Sequence, residues 1–339
     1  MADTPRIPHL AWATLRKQPM WIQLAGLILV LALFAYGGLF WFLRNPASMT
    51  MAEAGGLHAE AERLETHVGF LTSIQPSRSM NNPAALTLAA DYVKEEFAKT
   101  GCAVREHTFT IQETVYRNII CASGPEDAPR VVIGAHYDVA GDNNPGADDN
   151  ASGVAGVLEI ARLLGAQKPP LDHRVELVAF TLEEVLSSRG SLEYARFLRE
   201  DEVDVDIMVS VEMIGYFSDE AGSQTFPLSF LNLFYPREGN FIGVVGRAFD
   251  RSVVSRVKKL MTVSDKLPVY SINAPKFIPA IELSDHKNFW AAGYPAVMVT
   301  DTAFLRNPNY HRSTDAADTL DYERMAAVVD GLYRVTVDY

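Results

Sequence analysis

The chain has 339 residues, too many for one small domain and enough for one large domain with an appendage. Its 30 basic residues face 42 acidic ones, and a net charge of −12 lacks the basic footprint of a nucleic-acid binder, so no nucleic-acid partner is expected. A hydrophobic content of 48% excludes wholesale disorder, and two cysteines cannot build a disulfide scaffold or a Cys-based zinc framework, so any metal must be held by His and carboxylates.

From Met20 to Leu43 there is no charged residue, and Gln23 is the one strongly polar side chain. As a helix rising ~1.5 Å per residue, this stretch exceeds the ~30 Å hydrocarbon core of a bilayer. A signal-peptide core runs only ~7–15 residues, so an uncleaved transmembrane anchor over 20–43 is expected. Trp21, Trp41 and Phe42 lie near its ends, where interfacial aromatics belong. Arg6, Arg16 and Lys17 precede the span against Asp3, which predicts a cytoplasmic tail over 1–19 and an extracytoplasmic domain over 45–339. In a Gram-negative cell that domain would face the periplasm. Without the first 44 residues the remainder holds 26 basic against 41 acidic residues.

Apolar residues at three-to-four spacing predict a helix within 51–75, and a second helix is expected from about Asn82 to Thr100, stopped by Gly101. The period then changes. Val104–Ile111 and Val115–Cys121 read as the two strands of a hairpin, and Val131–Ala135 as a strand buried on both faces. Helices near Gly153–Leu164, Ser191–Leu198, Phe249–Met261 and Tyr322–Val337 alternate with strands at Val175–Phe180, Ile207–Val211, Phe241–Val245 and Ala296–Thr300. This order predicts an α/β fold with a mixed, largely parallel central sheet flanked by helices. The stretch Gly215–Asn240 is too long for a simple connection. With Phe226, Phe230, Phe234 and Tyr235 it fits either a lid over a substrate side chain or a local core. Cys102 and Cys121 lie on or beside the hairpin strands, and the sequence leaves open whether they are bridged.

In open α/β sheets ligands bind beyond the carboxyl ends of the strands. There lie His136-Tyr137-Asp138, the loop Gly146-Ala147-Asp148-Asp149-Asn150-Ala151-Ser152-Gly153, the pair Glu183-Glu184, then Glu212, and finally Tyr310-His311. Singly, each has an ordinary explanation: a lone His is commonly a satisfied one, adjacent glutamates a solvated patch, and Asp-Asp-Asn a helix cap. Their convergence on one sheet edge is different, because several carboxylates gathered together need compensating cations. Two imidazoles with carboxylates and no Cys suit Zn²⁺ or a similar divalent ion.

These residues resemble the M28 zinc aminopeptidases, whose members carry two co-catalytic metal ions. The likeness runs from about Asn82 to the C-terminus through HYD, GADDNASG, the EE pair, VEMIG, the Ser284-Asp285-His286 stretch and NYHRSTD; it does not include the anchor. The resemblance implies a zinc-peptidase-like fold and a peptide substrate. It implies that His136 binds one metal with Asp138 orienting it, and that Asp149, the Asp followed by x-x-Ser-Gly, bridges both ions. Glu184 and His311 would complete one metal site, and Glu212 would join His136 at the other. Glu183 would be the general base and Tyr310 a donor to the developing oxyanion. Asn150-Ala151-Ser152 also fits a glycosylation sequon, which its place inside the metal loop marks as coincidental.

One departure stands out. Many relatives read Glu-Glu-x-Gly soon followed by Gly-Ser; here Val185-Leu186-Ser187-Ser188-Arg189 separates Glu184 from Gly190-Ser191. The altered loop lies beside Glu183 and bears on pocket shape more than on metal binding. The leading expectation is a membrane-tethered dimetal aminopeptidase, with the bilayer and peptides as partners. Its rivals are a one-zinc glutaminyl-cyclase-like acyltransferase, a non-catalytic binding domain of the same fold, and a carboxypeptidase. The last would use Arg306 or Lys276 to hold the substrate carboxylate.

Overall fold

The computed structural model describes residues 19–46, 56–262, 267–275 and 278–339. Residues 1–43 and 44–339 form two units. In the first, helix α1 (Met20–Arg44) has 25 residues and is long and apolar enough to cross a membrane.

In the second unit, α2 spans Ala61–Ser73 and α3 spans Pro83–Ala98. The expected helix over 51–75 is therefore shorter: residues 57–60 are not helical, and 51–55 lie outside the described residues. Gly55-Gly56 carries a high helix penalty, and the apolar stripe that earns burial starts only with Leu64, Val68 and Leu71.

Strands β1 (Ala103–Ile111) and β2 (Thr114–Ser123) form the expected antiparallel hairpin. Its turn residues, Gln112 and Glu113, both have positive φ, as a two-residue turn matched to strand twist requires. Val104 pairs with Cys121, which puts Cys102 diagonal to Cys121 on the same face. Their Cα atoms are 5.6 Å apart and the two are joined by a disulfide.

The remaining elements are β3 (Arg130–His136), α4 (Gly153–Gln167), β4 (Arg174–Phe180), α5 (Arg189–Glu200), β5 (Val205–Glu212), β6 (Ile242–Arg247), α6 (Arg251–Met261), β7 (Val269–Ala274), α7 (His286–Ala291), β8 (Ala296–Thr300) and α8 (Tyr322–Asp338). Strand β7 and helix α7 are additions to the elements read from sequence. The eight strands form one sheet in the order β1-β2-β4-β3-β5-β8-β6-β7. At its centre β4, β3, β5 and β8 run parallel, whereas β2 and β6 meet this block antiparallel.

Period-two alternation divides each central strand between two cores. Val131, Ile133 and Ala135 of β3, Leu177 of β4, Val209 of β5 and Val297 of β8 face the larger core, with α2, α3, α4, α6 and α8. Val132, Val178, Met208 and Ala296 face the smaller one, with α5 and α7. Both faces are thus covered, and polar chemistry is left to the strand ends.

Candidate metal centre

His136 is the last residue of β3 and Glu212 the last of β5, while Glu183 and Glu184 follow β4. The loop after β3 brings Asp149 beside them. Gly146 makes its turn at φ +62, and a Cβ there would lie 2.5 Å from the Asp149 carbonyl oxygen. The connection from β8 to α8 delivers Tyr310 and His311.

The two oxygens of Asp149 face different partners. Oδ1 lies 3.2 Å from His136 Nε2, and Oδ2 lies 3.1 Å from His311 Nε2. His136 Nε2 is also 3.4 Å from Glu212 Oε2, and His311 Nε2 is 3.1 Å from Glu184 Oε2. Two sets of donors result, His136–Asp149–Glu212 and Asp149–Glu184–His311, each with its ligand atoms within 4.8 Å of one another. All five sequence-predicted ligands are therefore brought together, with Asp149 common to both sets. Its neighbour Asp148 points elsewhere, accepting from the Gly215 amide and the Asn307 carboxamide.

The donor set suits divalent cations. His136 Nε2, Asp149 Oδ1 and Glu184 Oε1 are buried and lack a protein hydrogen-bond partner, a costly condition that a cation relieves. Burial alone would lower the His136 pKa, yet the facing Glu212, Asp138 and Asp149 hold it well above the usual value. His311 is likewise lifted, against burial, to about 10 by Asp149 and Glu184. Burial and the Asp149 charge raise Glu184 to about 8. Asp149 itself is pulled down by the two imidazoles despite its burial. Burial first, then neighbouring carboxylates, push Glu183 well above the ordinary range.

Asp138 lies where expected but has a wider reach. Its carboxylate accepts from the backbone amides of both Glu183 (2.9 Å) and Glu184 (3.2 Å). His136 Nδ1 lies 3.2 Å from the Asp138 carbonyl oxygen and 3.5 Å from its Oδ1. Tyr310 stacks on His311 with ring centroids 3.7 Å apart. Three supporting groups escaped the sequence reading. Asp315 accepts from the amides of Asp148 and Asp149, and Ser284 donates to Glu212 Oε2 at 2.7 Å. Arg78, fully buried, directs its guanidinium to the carbonyls of Leu71, Tyr137, Pro145 and Gly146. Asp315 and Ser284 stand inside recognisable motifs, whereas nothing local marks Arg78.

An apolar cavity of about 120 Å³ adjoins the centre. Glu212 and Tyr310 line it at one side, and Phe226, Leu231, Tyr235, Phe241, Ile281 and Met298 line much of the rest. Part of the long segment after β5 thus serves as cavity wall, while its Phe230 remains exposed. Arg306 is buried over Phe241, donates to Gln224 and to the Tyr216 carbonyl, and is absent from the cavity lining; Lys276 lies outside the described residues. Asn150 is buried with its carboxamide on the Val211 carbonyl, so the sequon is inaccessible.

Residues 118–336 match the family described as peptidase family M28, which is more than half the chain. Among curated relatives, the uncharacterized protein YfbL of Escherichia coli (strain K12) is 46% identical over 286 residues, covering 81% of this chain and 87% of its own. Leucine aminopeptidase 1 of Pyrenophora teres f. teres is 26% identical, covering 77% of this chain and 65% of its own. Solved structures share the fold. The Legionella pneumophila LapA aminopeptidase has a TM-score of 0.68 at 20% identity, over 86% of this chain and 76% of its own. The zinc aminopeptidase BSAP of Bacillus subtilis has 0.65 at 16%, over 82% and 94%. The Bacteroides thetaiotaomicron glutaminyl cyclase has 0.62 at 16%, over 84% and 99%. With the donor set, the strand-end loops and the match over residues 118–336 in agreement, the chain belongs to peptidase family M28.

Proposed function

We propose that the chain is a membrane-tethered aminopeptidase that binds two divalent ions, most simply Zn²⁺, and releases apolar N-terminal residues from peptides. The observation that carries this reading is Asp149, whose two carboxylate oxygens face two separate His-and-carboxylate sets. His136, Asp149 and Glu212 would hold one ion, and Asp149, Glu184 and His311 the other. Ions held there would acidify a water and polarise the scissile carbonyl. Glu183 takes the proton of the attacking water and returns it to the leaving amine, and Tyr310 donates to the developing oxyanion. The apolar cavity beside Glu212 and Tyr310 receives the side chain of the residue released. The acidic cluster faces the substrate's free α-amine.

Helix α1 supports the tether, and the charge asymmetry of its flanks favours an extracytoplasmic position for residues 45–339. The Cys102–Cys121 bridge fits the oxidising surroundings found there. The fold likeness to a glutaminyl cyclase keeps a second reading in view, a one-zinc acyltransferase. Against it stands the intact set of His136 and Glu212, which a single-ion centre at Glu184 and His311 does not need.

The test counts metal in the detergent-solubilised full chain and assays a panel of aminoacyl amides beside Glu183→Gln. About two ions per chain is expected, with kcat lowered about 10²–10⁴-fold in the variant, which loses a general base and keeps its metal. About one ion, with cyclisation of N-terminal glutamine, would replace this reading with the acyltransferase. No turnover with any divalent ion would leave a binding domain.

A further inference from the structure

The segment that departs from the family pattern is held in an uncommon conformation. Leu186, Ser187 and Ser188 follow one another at φ 55°, 64° and 55°, three consecutive residues in the left-handed region without a glycine. Such a run persists only where its surroundings impose it. They do: Ser188 N–H donates to the Val185 carbonyl and Arg189 N–H to the Leu182 carbonyl. Asn288 of α7 places its carboxamide nitrogen 3.1 Å from the Ser187 carbonyl and 2.9 Å from that of Ser188.

Ser188 occupies the N-cap position of α5, where a serine ordinarily accepts from an amide of its own helix. It makes no such capping bond. Its buried Oγ lies 2.7 Å from Glu183 Oε1 and 3.1 Å from the Glu183 carbonyl. A hydroxyl has one hydrogen to donate, and the shorter contact to the stronger acceptor takes it. Asp138 meanwhile fixes the Glu183 main chain through its amide. The side chain is thereby held from both ends, and no protein hydrogen bond to Oε2 is present among the described residues. Helix α7 and the residues before it brace both sides of the centre, Asn288 through this turn and Ser284 through Glu212.

We propose that Ser188 is a positioning residue for the base: its hydroxyl holds Oε1 of Glu183 so that Oε2 is presented to the attacking water. This assignment rests on the peptidase reading above. The test compares Ser188→Gly and Ser188→Ala with the wild-type, zinc-loaded full chain in detergent. Glycine suits a positive φ and alanine does not, so the two should diverge in thermal stability, with Ser188→Gly no less stable than wild type. Both lack the hydroxyl, so both should lose about 10- to 100-fold in kcat, the scale of a misoriented reacting group, with KM and bound metal unchanged.

A kcat within about threefold of wild type in Ser188→Gly would overturn the assignment, since that is far less than the loss expected of a misplaced base. So would a loss of activity that follows lost metal or raised KM, because the turn would then be serving structure alone. If wild type turns over and Glu183→Gln does not while Ser188→Gly does, only the role of Ser188 fails. If wild type itself does not turn over with any divalent ion, the peptidase reading fails and the assignment falls with it.

Discussion

Replacing Arg78 with methionine keeps an unbranched apolar stem in a fully buried position and removes every donor of the guanidinium. The hydrogen bonds it donates to four carbonyls, those of Leu71, Tyr137, Pro145 and Gly146, are then lost together, although the Leu71 and Gly146 carbonyls still accept from the Ile74 and Ala151 amides. At about 1 kcal/mol per bond the sum is about 4 kcal/mol, within the ~3–5 kcal/mol typical when one side of a buried charged contact is removed. Against a domain stability of ~5–15 kcal/mol this is a large fraction. Two of the four carbonyls belong to the turn at Gly146 that leads to Asp149, so zinc affinity should fall about 10- to 100-fold as the ligand loses its support. Burial lowers the Arg78 pKa to about 10, a value at which it still carries its charge at neutral pH, facing Asp138, Asp315 and Asp149. Because the variant also binds zinc about 10- to 100-fold more weakly, saturating zinc restores less stability to it than to wild type, and the zinc-loaded protein should be destabilised more than the metal-free one, by about 1.4–2.8 kcal/mol. Guanidinium unfolding of the solubilised chain with and without zinc, followed by circular dichroism, measures both. A loss below about 1 kcal/mol, with unchanged zinc affinity, would refute the view that this one side chain supports the metal loop.

His311 at about 10 and Glu184 at about 8 hold protons at pH 7.5 in the metal-free protein, and His136 is shifted in the same direction, so zinc binding should release at least two protons. Calorimetry in buffers of different ionisation enthalpy counts them, and a count near zero would contradict the electrostatics. For His311 the linkage has a definite sign: its folded pKa of about 10 exceeds the ordinary 6.5. Its stabilisation is complete below that lower value and is lost as pH rises toward the higher. In the cavity, Met298→Trp should lower kcat/KM for leucyl amides about 10- to 100-fold and leave alanyl amides within about threefold, because the added ring fills volume that only the larger side chain uses. Equal losses for both substrates would place the side-chain pocket elsewhere.

The sequence already shows every central strand and every residue of the two candidate donor sets, because each donor type is chemically distinctive and follows an apolar run of strand length. What stayed hidden depends on partners distant in the chain. Strand β7 lacks a clean apolar alternation because Ser271 and Asn273 point inward. Asn45, 226 and 228 positions away, receives them through its own carboxamide. Helix α7 has six residues, too few for a period to register. Arg78 sits in the polar stretch Ser77-Arg78-Ser79 and looks like a surface loop residue until tertiary structure supplies four carbonyls. Ser188 could be suspected only as part of a loop that breaks the family pattern. Its contact with Glu183 depends on a left-handed turn that no local propensity predicts.

Asp138 gives this centre a common point of failure. One carboxylate holds the backbone of both Glu183 and Glu184, while the same residue's carbonyl meets the His136 ring. The proposed base and both candidate donor sets consequently share a reference point, and a disturbance there reaches all three at once. Gradual retuning must therefore come from the periphery, where, of the candidate site residues, Ser284 reaches Glu212 and Ser188 reaches Glu183. A lineage drifting toward one ion, or toward a silent binding shell, has separable steps available at those outer contacts and none at Asp138.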